Sequence, residues 1–98
     1  MSDIFLSYAR EDLPRAQNMA ASLEALGFSV FWDRRILPGE TFDEVIAQAL
    51  KEAHCVVVLW SFASVASHWV KDEAVEGQNR QVLVPVLIDE LLPVKVHN

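Results

Sequence analysis

The chain has 98 residues, of which 52% are hydrophobic and 22% charged, and its formal net charge is −6. That is room for one domain and not two, with enough apolar character for a packed core rather than disorder. The sign of the charge argues against nucleic acid or an anionic membrane as the main partner, because an acidic surface releases no counterions from phosphates. A domain this small buries only about 60–65% of the surface its unfolded chain exposes, so each packing contact weighs heavily.

In chain order, Ile4, Phe5 and Leu6 read as a short buried strand. Asp12 and Pro14 signal a helix start, since proline is tolerated in the first turn. Leu13, Ala16, Ala20, Leu23 and Leu26 then recur at helical spacing. Gly27 is placed to end that helix in a left-handed conformation, with Phe28 folding back onto it. Residues 28–32 (FSVFW) read as a second strand, and 33–39 as a loop punctuated by Pro38 and Gly39. Thr41 with Glu44 three residues later forms a capping box. The helix it opens carries one apolar stripe: Phe42, Val45, Ile46, Ala49, Leu50 and Ala53.

Residues 55–60 (CVVVLW) are continuously apolar, as suits a strand covered on both faces of a parallel sheet. A small-residue connection follows over 61–67, then a third helix over about 69–79. Residues 82–88 (VLVPVLI) read as a fourth strand. Pro85 lacks an amide donor and places that strand near an edge or at a bulge. The alternation βαβαβαβ implies right-handed crossovers and a parallel sheet with helices on both faces. The tail over 91–98 has no room for another helix and strand, so we expect one domain over 3–98 whose last elements are missing.

The single cysteine, Cys55, cannot form an internal disulfide, which fits a reducing compartment; within its apolar run it reads as a small buried hydrophobe. Met1, Ser2 and Asp3 lack the basic start of a signal peptide. The apolar runs are strand-sized, short of the ~20 residues that span a bilayer. The expected setting is cytoplasmic.

In an open parallel sheet, ligands bind beyond the carboxyl ends of the strands. The loops there are 9–12, 33–40 and 61–67. Gly27, Gly39 and Gly77 are too far apart for a phosphate-cradling loop. No G-x-S-x-G elbow occurs. His54, His68 and His97 share no metal-ligand spacing with one another or with Cys55, and read as solvated or helix-end histidines. No metal is expected. A phosphate-accepting receiver domain has similar topology, but needs an aspartate at the end of the third strand, where Leu59, Trp60 and Ser61 stand.

Glu73 stands out by pattern. Trp69, Val70 and Gly77 lie at i−4, i−3 and i+4, spacings that share a helix face, and Ala74 adjoins it. A carboxylate in such a stripe needs a specific partner or holds its proton unusually tightly, which marks a candidate functional site. The plainer alternative is a glutamate favoured near a helix N-terminus by the dipole, beside Asp72. Trp69 reads most simply as a core or half-exposed aromatic. Among Ser61, Ser64 and Ser67, at least one caps the third helix, Ser67 foremost. Arg34 and Arg35 read as a solvated loop pair.

The stretch DIFLSY at 3–8 resembles the first-strand motif of TIR (Toll/interleukin-1 receptor) domains. GFSVFWD at 27–33, followed by LPG at 37–39, resembles their second strand and BB loop. SHW at 67–69 with Glu73 is similar to the serine–tryptophan–glutamate signature of their third helix, and VPV at 84–86 to their fourth strand. The resemblance runs from Asp3 to about Ile88. It implies an α/β, flavodoxin-like open parallel sheet of order 2-1-3-4, with the fifth strand apparently missing and helices on both faces.

The resemblance also implies function. The branch the chain resembles is the bacterial-type, NAD-cleaving one: many bacterial, plant and some animal members hydrolyse NAD+ at the nicotinamide–ribose bond in signalling and immune-defence proteins, and some also cyclise the product; other members are scaffolds that only assemble with further TIR domains. Motif by motif, the essential glutamate falls on Glu73, and Trp69 on the wall of the nicotinamide pocket, near Ser67. Arg10 and Asp33 fall on the substrate cleft, and Pro38 and Gly39 on the loop that contacts neighbouring protomers. The implied partners are NAD+ as substrate and other TIR domains, with no cofactor.

One carboxylate is chemically sufficient for that reaction. A sugar hydrolase ordinarily needs a second, to protonate the leaving oxygen. Nicotinamide in NAD+ is already cationic and departs neutral. What remains is to stabilise an oxocarbenium-like transition state and orient the ribose hydroxyls.

Overall fold

The computed structural model describes residues 2–34 and 42–90. Pro38 and Gly39, Arg35, the Thr41 half of the capping box, His97 and the tail over 91–98 lie outside the described residues.

The sheet has four described strands: β1 (Ile4–Ser7), β2 (Val30–Phe31), β3 (Cys55–Trp60) and β4 (Leu83–Leu87). All pairs are parallel and the order is β2-β1-β3-β4, the expected flavodoxin-like arrangement. The helices are α1 (Leu13–Ala25), α2 (Phe42–Glu52) and α3 (His68–Asn79).

Side chains alternate along each strand, and this divides the core in two. Ile4 and Leu6 of β1, with Val57 and Leu59 of β3, pack against Ala16 and Ala20 of α1. Phe5 of β1, with Val56 and Val58 of β3, packs against Ile46 of α2 and Val70 and Ala74 of α3. β3 is buried through its middle on both faces, as a continuous apolar run requires. β4 lies at the edge of the described sheet, where Pro85 opposite Val58 costs no interior ladder bond.

The end of α1 follows the sequence reading. Gly27 has φ +100°, the Gly27 amide donates to the Glu24 carbonyl at 3.0 Å, and the Phe28 amide donates to the Leu23 carbonyl at 3.2 Å. This is a Schellman closure. The Phe28 ring itself stays half-exposed, so the fold-back is made by backbone.

Several expectations are corrected. Asp12 stands at the start of α1 but makes no side-chain cap; its carboxylate instead accepts hydrogen bonds from Arg15 and from Ser61 Oγ. Leu13 and Leu26, the two ends of the predicted stripe, are exposed. β2 spans two residues rather than five. Before it, Ser29 exchanges hydrogen bonds with the Asp3 side chain and backbone amide. After it, the Trp32 carbonyl accepts from Tyr8 Oη. Side chains thus take the groups a longer ladder would use.

Candidate functional site

Glu73 is carried to the carboxyl end of β1 by local rules. Ser67 caps α3, its Oγ accepting from the Val70 amide at 3.4 Å. One face of α3 then buries Val70, Glu73, Ala74 and Gly77. Gly77 allows the close approach: a Cβ there would meet Val56 Cβ at 2.9 Å. On β1, Ser7 shares the face of Phe5 and is wholly buried, so the alternation that sends Phe5 into the core delivers a hydroxyl beneath α3.

The Glu73 carboxylate, 6% exposed, has a full set of partners. Ser7 Oγ donates to Oε1 at 2.6 Å. Arg34 grips both oxygens, Nη1 to Oε2 at 2.8 Å and Nη2 to Oε1 at 3.0 Å, a bidentate geometry that only a guanidinium offers. The Arg34 carbon Cζ lies 5.1 Å from the Phe5 ring centroid and 5.3 Å from that of Tyr8, and Nη2 also donates to the Leu6 carbonyl at 3.2 Å. The expectation that Arg34 is a solvated loop residue is therefore wrong: its side chain is 12% exposed. The cause is Glu73, a buried carboxylate whose desolvation would be costly alone. Among the described residues, Arg34 Nε is buried without a hydrogen-bond partner.

Tyr8 roofs the opposite face of β1. Its hydroxyl donates to the Trp32 carbonyl at 2.5 Å. Burial pushes its ionisation above the ordinary tyrosine range; the Asp33 charge pushes the same way and the Arg34 cation opposes both. Asp33 is partly buried between Trp32 and Arg34.

Arg10, Ser67 and Trp69 come together around a second feature, a cavity of about 350 Å³ floored by Ala9, Ala63 and Ala66. The Trp69 indole donates to the Tyr8 carbonyl at 3.3 Å, and Arg10 Cζ lies 5.6 Å from its ring centroid, a cation–π distance. Trp69 is 41% exposed, the half-exposed aromatic that its simplest reading allows. Glu73, one helical turn away, does not line this cavity. Trp69 and Glu73 share a helix, but Arg34 covers the carboxylate.

Outside the site, Ser64 Oγ accepts from the Ser61 amide and donates to the Leu59 carbonyl, tying the 61–67 connection to β3. Arg15 joins Asp12 at 2.7 Å to Asp89 at 2.8 Å, linking α1 to the end of β4. Arg80 donates to the carbonyls of Leu50 and Ala53 at 2.7 and 2.8 Å, satisfying the end of α2 with a cation. His54 and His68 are exposed. Cys55 is half-buried, its thiol pushed up by burial. Among the described residues, no group of His, Cys, Asp and Glu is placed to hold a metal, and no helix is long and apolar enough to cross a membrane.

A four-stranded parallel sheet of this order, packed with helices, matches the flavodoxin-like fold of TIR domains. The family model described as TIR domain matches residues 4–97, and the chain belongs to that family. A Stimulator of interferon genes protein from Magallana gigas is 35% identical over 102 residues, which cover 91% of this chain and 25% of that protein. A metazoan TIR-STING receptor from C. gigas has a solved structure that is 31% identical, with a TM-score of 0.74 over 90% of this chain and 31% of that one. The TIR domain of the Toll-related receptor TRR-2 from Hydra magnipapillata superposes with a TM-score of 0.79 over 90% of this chain and 71% of that one; at 24% identity it speaks for the fold alone. The chain spans a quarter or less of the curated relatives it matches, 25% and 5% of their lengths.

Proposed function

We propose that this TIR domain belongs to the NAD-cleaving branch and hydrolyses NAD+ at the nicotinamide–ribose bond, within a cytoplasmic signalling or immune-defence protein. The observation that carries the reading is the Glu73 carboxylate, sheltered at the carboxyl end of β1 one helical turn from Trp69. Bond cleavage sends the glycosidic electron pair onto the pyridinium nitrogen and releases neutral nicotinamide. The anomeric carbon is left cationic, and water adds there with loss of a proton. In this scheme the substrate displaces Arg34 from the Glu73 carboxylate, which then stabilises the developing positive charge and orients the ribose hydroxyls. Trp69 offers an indole face to the nicotinamide ring, while Arg10 and Ser67 line the same cavity for the remainder of the dinucleotide, with Asp33 a further contact from the segment after β2. NAD+ is substrate in this scheme, and no cofactor takes part.

The test is to incubate the protein with NAD+, at high concentration or under crowding, and follow nicotinamide release. Release that vanishes in Glu73→Ala is expected. No release, or equal release from the variant, removes the enzymatic reading.

The same ion pair favours a second reading. Glu73 held by Arg34 and Ser7 also pins α3 to β1 and to the segment after β2, as a purely structural role requires. On that reading the domain is a scaffold acting by association with other TIR domains. Self-association is then lost in Pro38→Ala or Gly39→Ala, while the wild-type protein leaves NAD+ uncleaved; sedimentation velocity and nicotinamide release measure the two.

A further inference from the structure

The two oxygens of the Glu73 carboxylate are not held alike. Oε1 has two donors, Ser7 Oγ at 2.6 Å and Arg34 Nη2 at 3.0 Å. Oε2 accepts from Arg34 Nη1 at 2.8 Å. The donors also differ in how firmly they are carried. Ser7 is the last residue of β1, wholly buried and in register with Val58 of β3. β1 is an inner strand, flanked by β2 and β3. Arg34 follows β2, a two-residue strand at the edge of the described sheet, and reaches Glu73 through a long side chain with many rotamers. A carboxylate turns about a broad, roughly two-fold terminal torsion, so Glu73 by itself does not select which oxygen faces outward. A hydroxyl fixed in the sheet and bonded to Oε1 does.

We infer that Ser7 is a positioning residue for the reaction proposed above, on which its role rests: it keeps Oε1 when Arg34 is displaced and leaves Oε2 to face the developing positive charge. Charge stabilises a transition state best when it is fixed in place beforehand, because an oxygen that must first reorient offers less. Ser7 donates a hydrogen bond and keeps its proton, and no bond to it forms or breaks. With the guanidinium gone, the same hydroxyl offsets part of the cost of a buried carboxylate.

The first arm of the test measures nicotinamide release per folded molecule, with the folded fraction read by far-UV circular dichroism at the assay temperature. Ser7→Ala should lower kcat about 10- to 100-fold while KM changes less than about twofold, the signature of an interaction used in the transition state. A folded Ser7→Thr keeps the hydroxyl and should recover most of the rate. Should Ser7→Ala be unfolded, Ser7→Cys takes its place, filling the same space with a much weaker donor. A purely structural hydroxyl would lower Tm and leave kcat per folded molecule unchanged, and that result overturns the inference.

The second arm needs no turnover. In Arg34→Ala, the Ser7 hydroxyl proton should persist in the proton NMR spectrum as a slowly exchanging low-field resonance, absent from Arg34→Ala/Ser7→Ala and from Arg34→Ala/Glu73→Ala. Should Arg34→Ala be unfolded, Arg34→Lys replaces it, since an ammonium cannot grip both oxygens. Loss of the resonance with Arg34 means that Ser7 does not hold the carboxylate alone, and overturns the inference. A wild-type protein that releases no nicotinamide loses the reaction and the part of Ser7 in it, even where the resonance shows the hydrogen bond intact. An active protein whose Ser7→Ala variant is equally fast keeps the reaction and loses the positioning role.

Discussion

Gly77 of α3 lies directly against Val56 of β3, so close that a Cβ at Gly77 would stand 2.9 Å from Val56 Cβ and 3.2 Å from Cγ1. This contact sets how deeply α3 sinks onto the sheet, and so how far Glu73 reaches over β1. Neither Cβ is the end of a flexible side chain, so Gly77→Ala must lift the helix. Overpacking costs about 1–3 kcal/mol, against a helix-propensity gain of about 1 kcal/mol. The expected result is a Tm about 5–10 °C lower for a domain of this size, with weakened contacts between Ser7 and Glu73. An unchanged or higher Tm in differential scanning calorimetry would show that the sheet side yields instead.

The Arg34–Glu73 pair should show strong energetic coupling. Removing one member of a buried pair leaves the other uncompensated and costs about 3–5 kcal/mol, whereas replacing both often costs little. Urea unfolding of Arg34→Met, Glu73→Gln and the double variant completes a double-mutant cycle. A double-variant loss far below the sum of the singles is expected; simple additivity would mean that the two side chains do not depend on one another.

Tyr8 is the sole tyrosine, so its ionisation can be followed by ultraviolet absorbance without ambiguity. Burial raises it above its ordinary value of 10.0. The unfolded chain therefore loses this proton first as pH rises, and stability falls with increasing pH above about 10. One absorbance transition at higher pH in the folded protein than in urea is the expected result. Coincident transitions would contradict the burial of the phenol.

Acid should release the clamp between α1 and the end of β4. The Arg15 guanidinium, and then the Phe62 amide, hold the Asp89 carboxyl below its ordinary 3.8. A lowered folded-state value means the unfolded chain binds the proton first as pH falls. Asp89 thus stabilises the fold above about pH 4, and this contribution is lost as pH drops through the folded-state value. Melts of the wild-type protein and Asp89→Asn should differ most near neutrality and converge in acid. A constant difference across the range would place the effect of Asp89 elsewhere.

Much of the fold was legible because its signals are local. The helical spacing along α1 and α2, the continuous apolar run of β3, Gly27 after Leu26 and Pro85 in the last strand each describe a few neighbouring residues, and each led to the right element. Ser67 as the cap of α3 is the same kind of inference. β2 was overestimated because Ser29 and Trp32 look strand-like in sequence. Their backbone groups are claimed by Asp3 and Tyr8, which are 26 and 24 residues away.

The site divides along the same line. Period and composition were enough to single out Glu73 and to set it on a face with Val70, Ala74 and Gly77, because 3.6 residues per turn is a property of the chain itself. Nothing in a loop of two adjacent arginines distinguishes Arg34 from Arg35. Arg34 is drawn in only when α3 brings a buried carboxylate over β1, 39 residues further along the chain. Local sequence determined the elements and the position of the acid. Tertiary structure alone decided its partner, since the desolvation of a charge exists only once the core has closed around it.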